Sequence, residues 1–184
     1  MADPRPVEEL ERSAREVLDH VPDWLWDGES PPIPIEDIAD SVFGLRVREI
    51  EDMTSAPGAP EVEPGQTISG LLLAARGEIW VNAAEAREWP PRKRFTIAHE
   101  LGHYLLHRSG QQALFCRHGS VEEGTSRPRL PVAEVEANAF AAALLMPAPL
   151  LRERKVACGG DIDQLCLDFA SSKRAMERRL ASLD

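Results

Sequence analysis

The sequence has no run of about 18 apolar residues, and its opening stretch MADPRPVEELERSAREVLDH lacks an apolar segment behind a basic start. These absences speak against a helical membrane span and against a secretory leader. Cysteine is scarce: Cys116, Cys158 and Cys166 make an odd set with no Cys-x-x-Cys pair. A disulfide framework is not expected, and reduced thiols in a cytoplasm are. Positive charge is also in deficit, with 21 lysines and arginines against 31 aspartates and glutamates and a net charge of −10. Such a surface repels phosphate backbones, so direct nucleic-acid binding over the whole molecule is not expected.

What remains is a chain of 184 residues with 43% hydrophobic content, enough for one principal core. Its chemistry is concentrated in RFTIAHELGHYLLH, residues 94–107, which holds a His-Glu-x-x-His element. Pro90 and Pro91 suit a helix start, and Phe95, Ala98, Leu101, Leu105 and Leu106 recur at helical spacing up to a stop at Ser109-Gly110. On that helix His99 and His103 share one face, one turn apart, so both imidazoles can reach one zinc ion. Glu100 follows the first ligand and is the candidate general base for a water activated there. Gly102 weakens the helix by about 1 kcal/mol relative to alanine, which points to another backbone passing close by.

His107 continues the series at i+8, but a rise of ~1.5 Å per residue puts its Cα about 12 Å from that of His99, too far for a shared ion. It is read instead, with Tyr104, as a group for oxyanion stabilisation or for support around the ligands. A third ligand must come from downstream, among Cys116, His118, Glu122, Glu123, Glu134 and Glu136. The segment PVAEVEANAFAAALLM, 131–146, reads as a helix opened by Pro131 and ended by Pro147. Val132, Val135, Ala139, Ala142, Ala143 and Met146 define its apolar face. At ~100° per residue, Glu136 lies about 60° from the centre of that face and Glu134 about 140° away. Glu136 is therefore the expected third ligand, and Glu134 the expected solvent-facing charge.

RFTIAHELGHYLLH followed by EANAFAAALLMP resembles the ImmA/IrrE family of zinc-dependent metallopeptidases, over roughly residues 35–180. The resemblance implies His99, His103 and Glu136 as zinc ligands and Glu100 as catalytic acid/base. It also implies a helix-turn-helix repressor as protein substrate, in stress-response or mobile-element regulation of transcription. The alternative is a metal-containing regulator that binds a repressor or DNA without proteolysis.

The fold class expected is α+β: a mainly helical zincin-like core with a small antiparallel sheet and a C-terminal helical pair. The expected segments are 1–27, an N-terminal helix and bend around Trp24 and Trp26; 28–150, the metallopeptidase domain; and 151–184, a helical hairpin. Within the second, Ile35 to Phe43 should be a helix, Leu45 to Ile50 a strand, and Ile68 to Ala74 with Glu78 to Asn82 a hairpin. Residues 108–130 show little pattern and form a connection able to gate the cleft. In the hairpin, Lys173, Arg174, Arg178 and Arg179 give the last helix a basic face; packing through Leu165, Phe169, Met176 and Leu180 is the reading preferred over DNA recognition.

Overall fold

The computed structural model describes residues 3–56, 66–107, 114–119 and 131–183. The first helix, α1 (Val7–Asp19), buries Leu10, Ala14 and Val17, the stripe set by its apolar spacing. After it the chain bends at Trp24 and Trp26. Only Trp26 packs on the core, while Trp24 is exposed. Helix α2 (Ile35–Ser41) follows, then strand β1 (Arg46–Ile50).

Strands β2 (Gln66–Leu73) and β3 (Glu78–Asn82) form the expected hairpin, closed by a 3-10 turn over Ala74–Arg76 and by Gly77 at φ 63°. That positive φ is where glycine avoids the strain a Cβ would meet. The sheet has four strands and is mixed where an antiparallel one was expected. Its order is β1-β3-β2-β4, with β4 formed by Leu114–Gly119, inside the stretch read as a patternless connection. Strand β2 runs antiparallel to β3 and β4, whereas β1 runs parallel to β3. The chain returns from β1 to β3 through β2, which runs the opposite way, and this is how β3 comes to lie parallel to β1 without a tight turn between them.

A short helix α3 (Ala83–Glu88), capped by the Asn82 side chain on the Glu85 amide, leads into α4 (Pro90–Leu106). Helix α5 (Val132–Leu145) packs on α4 on one side and on α1 on another. It is buried nearly all round, through Glu136, Ala137, Phe140, Ala141, Ala143, Leu144 and Leu145. Close packing of α4 on α5 explains Gly102: a Cβ there would lie 3.0 Å from Phe140 Cδ1 and 3.3 Å from Ala137 Cα. The remaining helices are α6 (Ala148–Ala157), which the sequence reading did not separate out, α7 (Ile162–Asp168) and α8 (Lys173–Ala181). Asp161 caps α7 by accepting from the Asp163 and Gln164 amides. A single hydrophobic cluster runs from Ala14 and Val17 through Leu101, Phe140 and Leu144 to Leu165, Phe169 and Met176, so all three expected segments share one core.

Candidate metal centre

Helix α4 crosses β2 and β3 with the face that carries His99, Glu100 and His103 fully covered. His99 is 4% exposed, His103 1% and Glu100 0%, a degree of burial that polar side chains reach only where they have a defined task or partner. The Glu100 carboxylate lies against Gly70 of β2. A Cβ on that glycine would be 2.8 Å from Glu100 Oε1 and 2.3 Å from Thr96 Cγ2. The absent side chain on β2 thus makes the space that Glu100 fills.

The acid brought to the two histidines is Glu134. Its Oε1 lies 3.1 Å from His103 Nε2 and its Oε2 3.4 Å from His99 Nε2, while the two Nε2 atoms are 3.0 Å apart. The expectation for Glu136 is corrected by this geometry. That reading assumed one apolar face on α5 that would also be the metal-facing one. Because α5 is enclosed on several sides, the centre of its apolar residues does not mark the side toward α4. The side toward α4 carries Glu134, Ala137, Asn138 and Phe140, with Ala137 and Phe140 closing on Gly102. Glu136, two positions on, turns instead to the N-terminal segment, where Arg5 N donates to its Oε1 at 2.7 Å and Arg5 Nη1 to its Oε2 at 2.5 Å.

Sequence reasoning also missed Asn138. Its Oδ1 is 3.1 Å from His99 Nδ1, so it can accept the Nδ1 proton and leave the Nε2 lone pair of His99 facing Glu134 and His103. The spacing that could have revealed both residues is Glu134 and Asn138 at i, i+4, the same step that separates the histidines on α4.

The electrostatics agree with a cation site. Burial works against ionisation of Glu134, but contact with His103 and His99 in their protonated forms outweighs it and holds the carboxyl well below the usual range, a pull that a cation held by the neutral imidazoles would exert in their place. Ligand atoms on a tetrahedral zinc, bonded at ~2.0 to 2.1 Å, stand roughly 3.3 Å from one another. The closest approaches here lie near that value, with His103 and His99 each meeting a different oxygen of Glu134, and the donor set fits such an ion in number and type. Among the described residues, His99, His103 and Glu134 are the group of this kind.

His107 stays outside the trio, as its rise along the helix requires. Its ring centroid is 5.5 Å from that of His103, and its Nε2 lies 3.5 Å from Glu136 Oε2. Burial lowers its pKa and His103 adds to the effect, against the opposing pull of Glu136. Tyr104 is partly buried against the core cluster. The candidates Glu122 and Glu123 lie outside the described residues. Cys116 and His118 fall on β4, where the backbone register sets Cys116 opposite Gly70 and His118 opposite Thr67.

A sequence profile described as the IrrE N-terminal-like domain, a peptidase family, matches residues 43–181, more than half of the chain. No curated protein matches the chain. The match takes in both helices of the trio and leaves α1 and α2 outside.

Proposed function

Since the chain belongs to the IrrE N-terminal-like peptidase family, we propose that it is a zinc-dependent metalloendopeptidase with His99, His103 and Glu134 as ligands and Glu100 as general base. The observation that carries this reading is the trio of donor separations, 3.0, 3.1 and 3.4 Å, beside a fully buried glutamate on the same helix. A purely structural zinc takes four protein ligands, and among the described residues three of the right type converge here. A zinc ion at the trio supplies Lewis acidity toward the scissile carbonyl and lowers the pKa of water. Glu100 accepts a proton from the attacking water as the C–O bond forms. It then passes that proton to the amine nitrogen as the C–N bond breaks. Asn138 holds His99 in the tautomer that presents Nε2, and Gly70 keeps the place of the Glu100 carboxylate open.

A folded helix-turn-helix repressor is the substrate class proposed, in keeping with the sequence resemblance and with a reading in which partner docking selects the bond. Direct DNA contact by α8 finds little support in the geometry. Arg179 is 3% exposed and donates from Nε to the Met146 carbonyl at 2.9 Å, while Lys173 pairs with Asp163 at 3.0 Å. No helix among the described residues is long and apolar enough to cross a membrane, and a cytoplasmic location is proposed with the function.

The test compares two substitutions on a purified repressor encoded beside this chain. E100Q should retain one zinc per chain and lose peptide cleavage by a factor of at least ~10². E134Q should lose zinc as well. Cleavage by E100Q at the wild-type rate would sink the peptidase reading and favour a regulator that acts without proteolysis.

A further inference from the structure

Where α3 meets α4, Glu85, Glu88, Trp89 and Arg92 line a cleft of about 360 Å³. Trp89 is 52% exposed, and the Arg92 guanidinium carbon lies 5.9 Å from its ring centroid. Arg92 Nε is also 3.3 Å from Glu85 Oε2, a buried oxygen that accepts no hydrogen bond. The chain's own guanidinium is thus held between an indole ring and a carboxylate, a pair of groups that suits a cation. Glu88 lines the same cleft, is exposed, and forms no ion pair among the described residues. A second carboxylate beside the indole is therefore open to a ligand.

Thr67 of β2 fixes the cleft relative to the metal centre, because its Oγ1 donates to Glu85 Oε1 at 2.8 Å. Glu100 lies against Gly70, three residues further along β2, a span of about 10 Å in a strand. Strand β4 is the outer strand beyond β2 and runs antiparallel to it, with Gly70 opposite Cys116 and Thr67 opposite His118. An extended peptide that adds to β4 in the antiparallel sense runs in the direction of β2. Its residues before the scissile bond pass from the level of Thr67 toward Glu100. At ~3.4 Å per residue, the one level with Glu85 is about the third before that bond.

We propose that this cleft is a specificity-determining subsite for a basic side chain, arginine above all, about three residues before the scissile bond. The exposed part of the Trp89 ring supplies the stacking surface and Glu88 the counter-charge. The inference rests on the peptidase reading above and narrows its substrate. A repressor that binds nucleic acid carries exposed basic side chains, and a chain of net charge −10 attracts such a surface before the cleft selects among its residues.

The experiment digests a synthetic library of random-sequence peptides with the zinc-loaded full chain and identifies the products by mass spectrometry. Arginine and lysine should be enriched about fivefold near the third residue before the cut. For two peptides that differ only there, arginine should exceed norleucine by about fivefold in kcat/KM, and W89A should lose most of that ratio. In E88K, glutamate should replace arginine as the favoured residue, a reversal that a merely structural role of Glu88 would not produce. A second measurement needs neither metal nor cleavage. N-acetylarginine amide titrated into the full chain should shift the Trp89 indole N–H resonance, and N-acetylnorleucine amide should not.

Cleavage with no basic preference at that position, or the wild-type preference retained in E88K, would overturn the subsite and leave the peptidase reading intact. An indole resonance that ignores the arginine amide would overturn the cleft as a cation site. A library left uncut while the amide still shifts Trp89 would overturn the peptidase reading, and the subsite with it.

Discussion

At Gly70 the structure turns on the absence of a single methyl group. A Cβ at 2.3 Å from Thr96 Cγ2 and 2.8 Å from Glu100 Oε1 cannot be accommodated unless β2 and α4 separate or the carboxylate swings away. G70A is expected to cost about 1–3 kcal/mol of stability, as other overpacked cores do. It should also lower peptide cleavage by about tenfold or more while zinc stays bound, because the base is displaced and the ligands are not. Thermal unfolding, zinc content and cleavage measured on one preparation check this, and unchanged cleavage would show that Glu100 is not held by that glycine. At the same scale, His99, Glu100 and His103 were legible because their spacing and local helix period agree. Glu134 was not. Choosing between it and Glu136 required knowing that α5 has neighbours on several sides, and periodicity reports only the apolar average of those sides.

Between elements, Lys93 joins α4 to α2 and β1, with Nζ 2.8 Å from Glu36 Oε2 and 2.8 Å from Glu49 Oε1. Partial burial works against its charge, but the two carboxylates prevail and its pKa is raised. The folded chain thus holds this proton more tightly than the unfolded one. The resulting stabilisation is full below the ordinary lysine value of ~10.4 and is lost as pH rises through the folded value. K93M should cost less than about 1 kcal/mol near neutral pH, since both acids are exposed enough to be screened. It should also reduce the loss of Tm seen above pH ~10.4. An alkaline limb identical to that of wild type in thermal melts at several pH values would remove Lys93 from that account. The elements themselves were largely readable: α1, α2, β1, the hairpin, α4, α5 and the C-terminal pair lie within a few residues of their expected bounds. Strand β4 escaped because its pairing with β2 is a long-range choice. Helix α6 escaped because Pro147 and Pro149 look like breakers, although a first helical turn tolerates both.

Across the whole molecule, the two ends of the chain meet. Arg179 of α8 forms a two-pronged ion pair with Glu11 of α1, and its Nε donates to the Met146 carbonyl just beyond α5. Removing one partner of a pair this buried leaves the other without compensation. R179A is therefore expected to destabilise the fold by about 3 kcal/mol, and a loss below about 1 kcal/mol in urea unfolding would show that the pair is dispensable. The basic face expected for α8 is reduced by the same contact. Reading it required knowing where α1 lies, which no local pattern in residues 173–181 discloses.

Helix α1 has a consequence for where this protein can be divided. It lies wholly before residue 43, where the family match begins, yet Ala14 and Val17 are part of the main core cluster and α1 covers one side of α5. A fragment cut at the border of the match would carry every proposed ligand and Glu100. It would also bare an apolar flank of the helix that presents Glu134, and strand Arg179 in the interior without its acid. The stretch of chain that the family match covers is therefore shorter than the stretch that closes the core, and the difference includes a helix outside the matched residues.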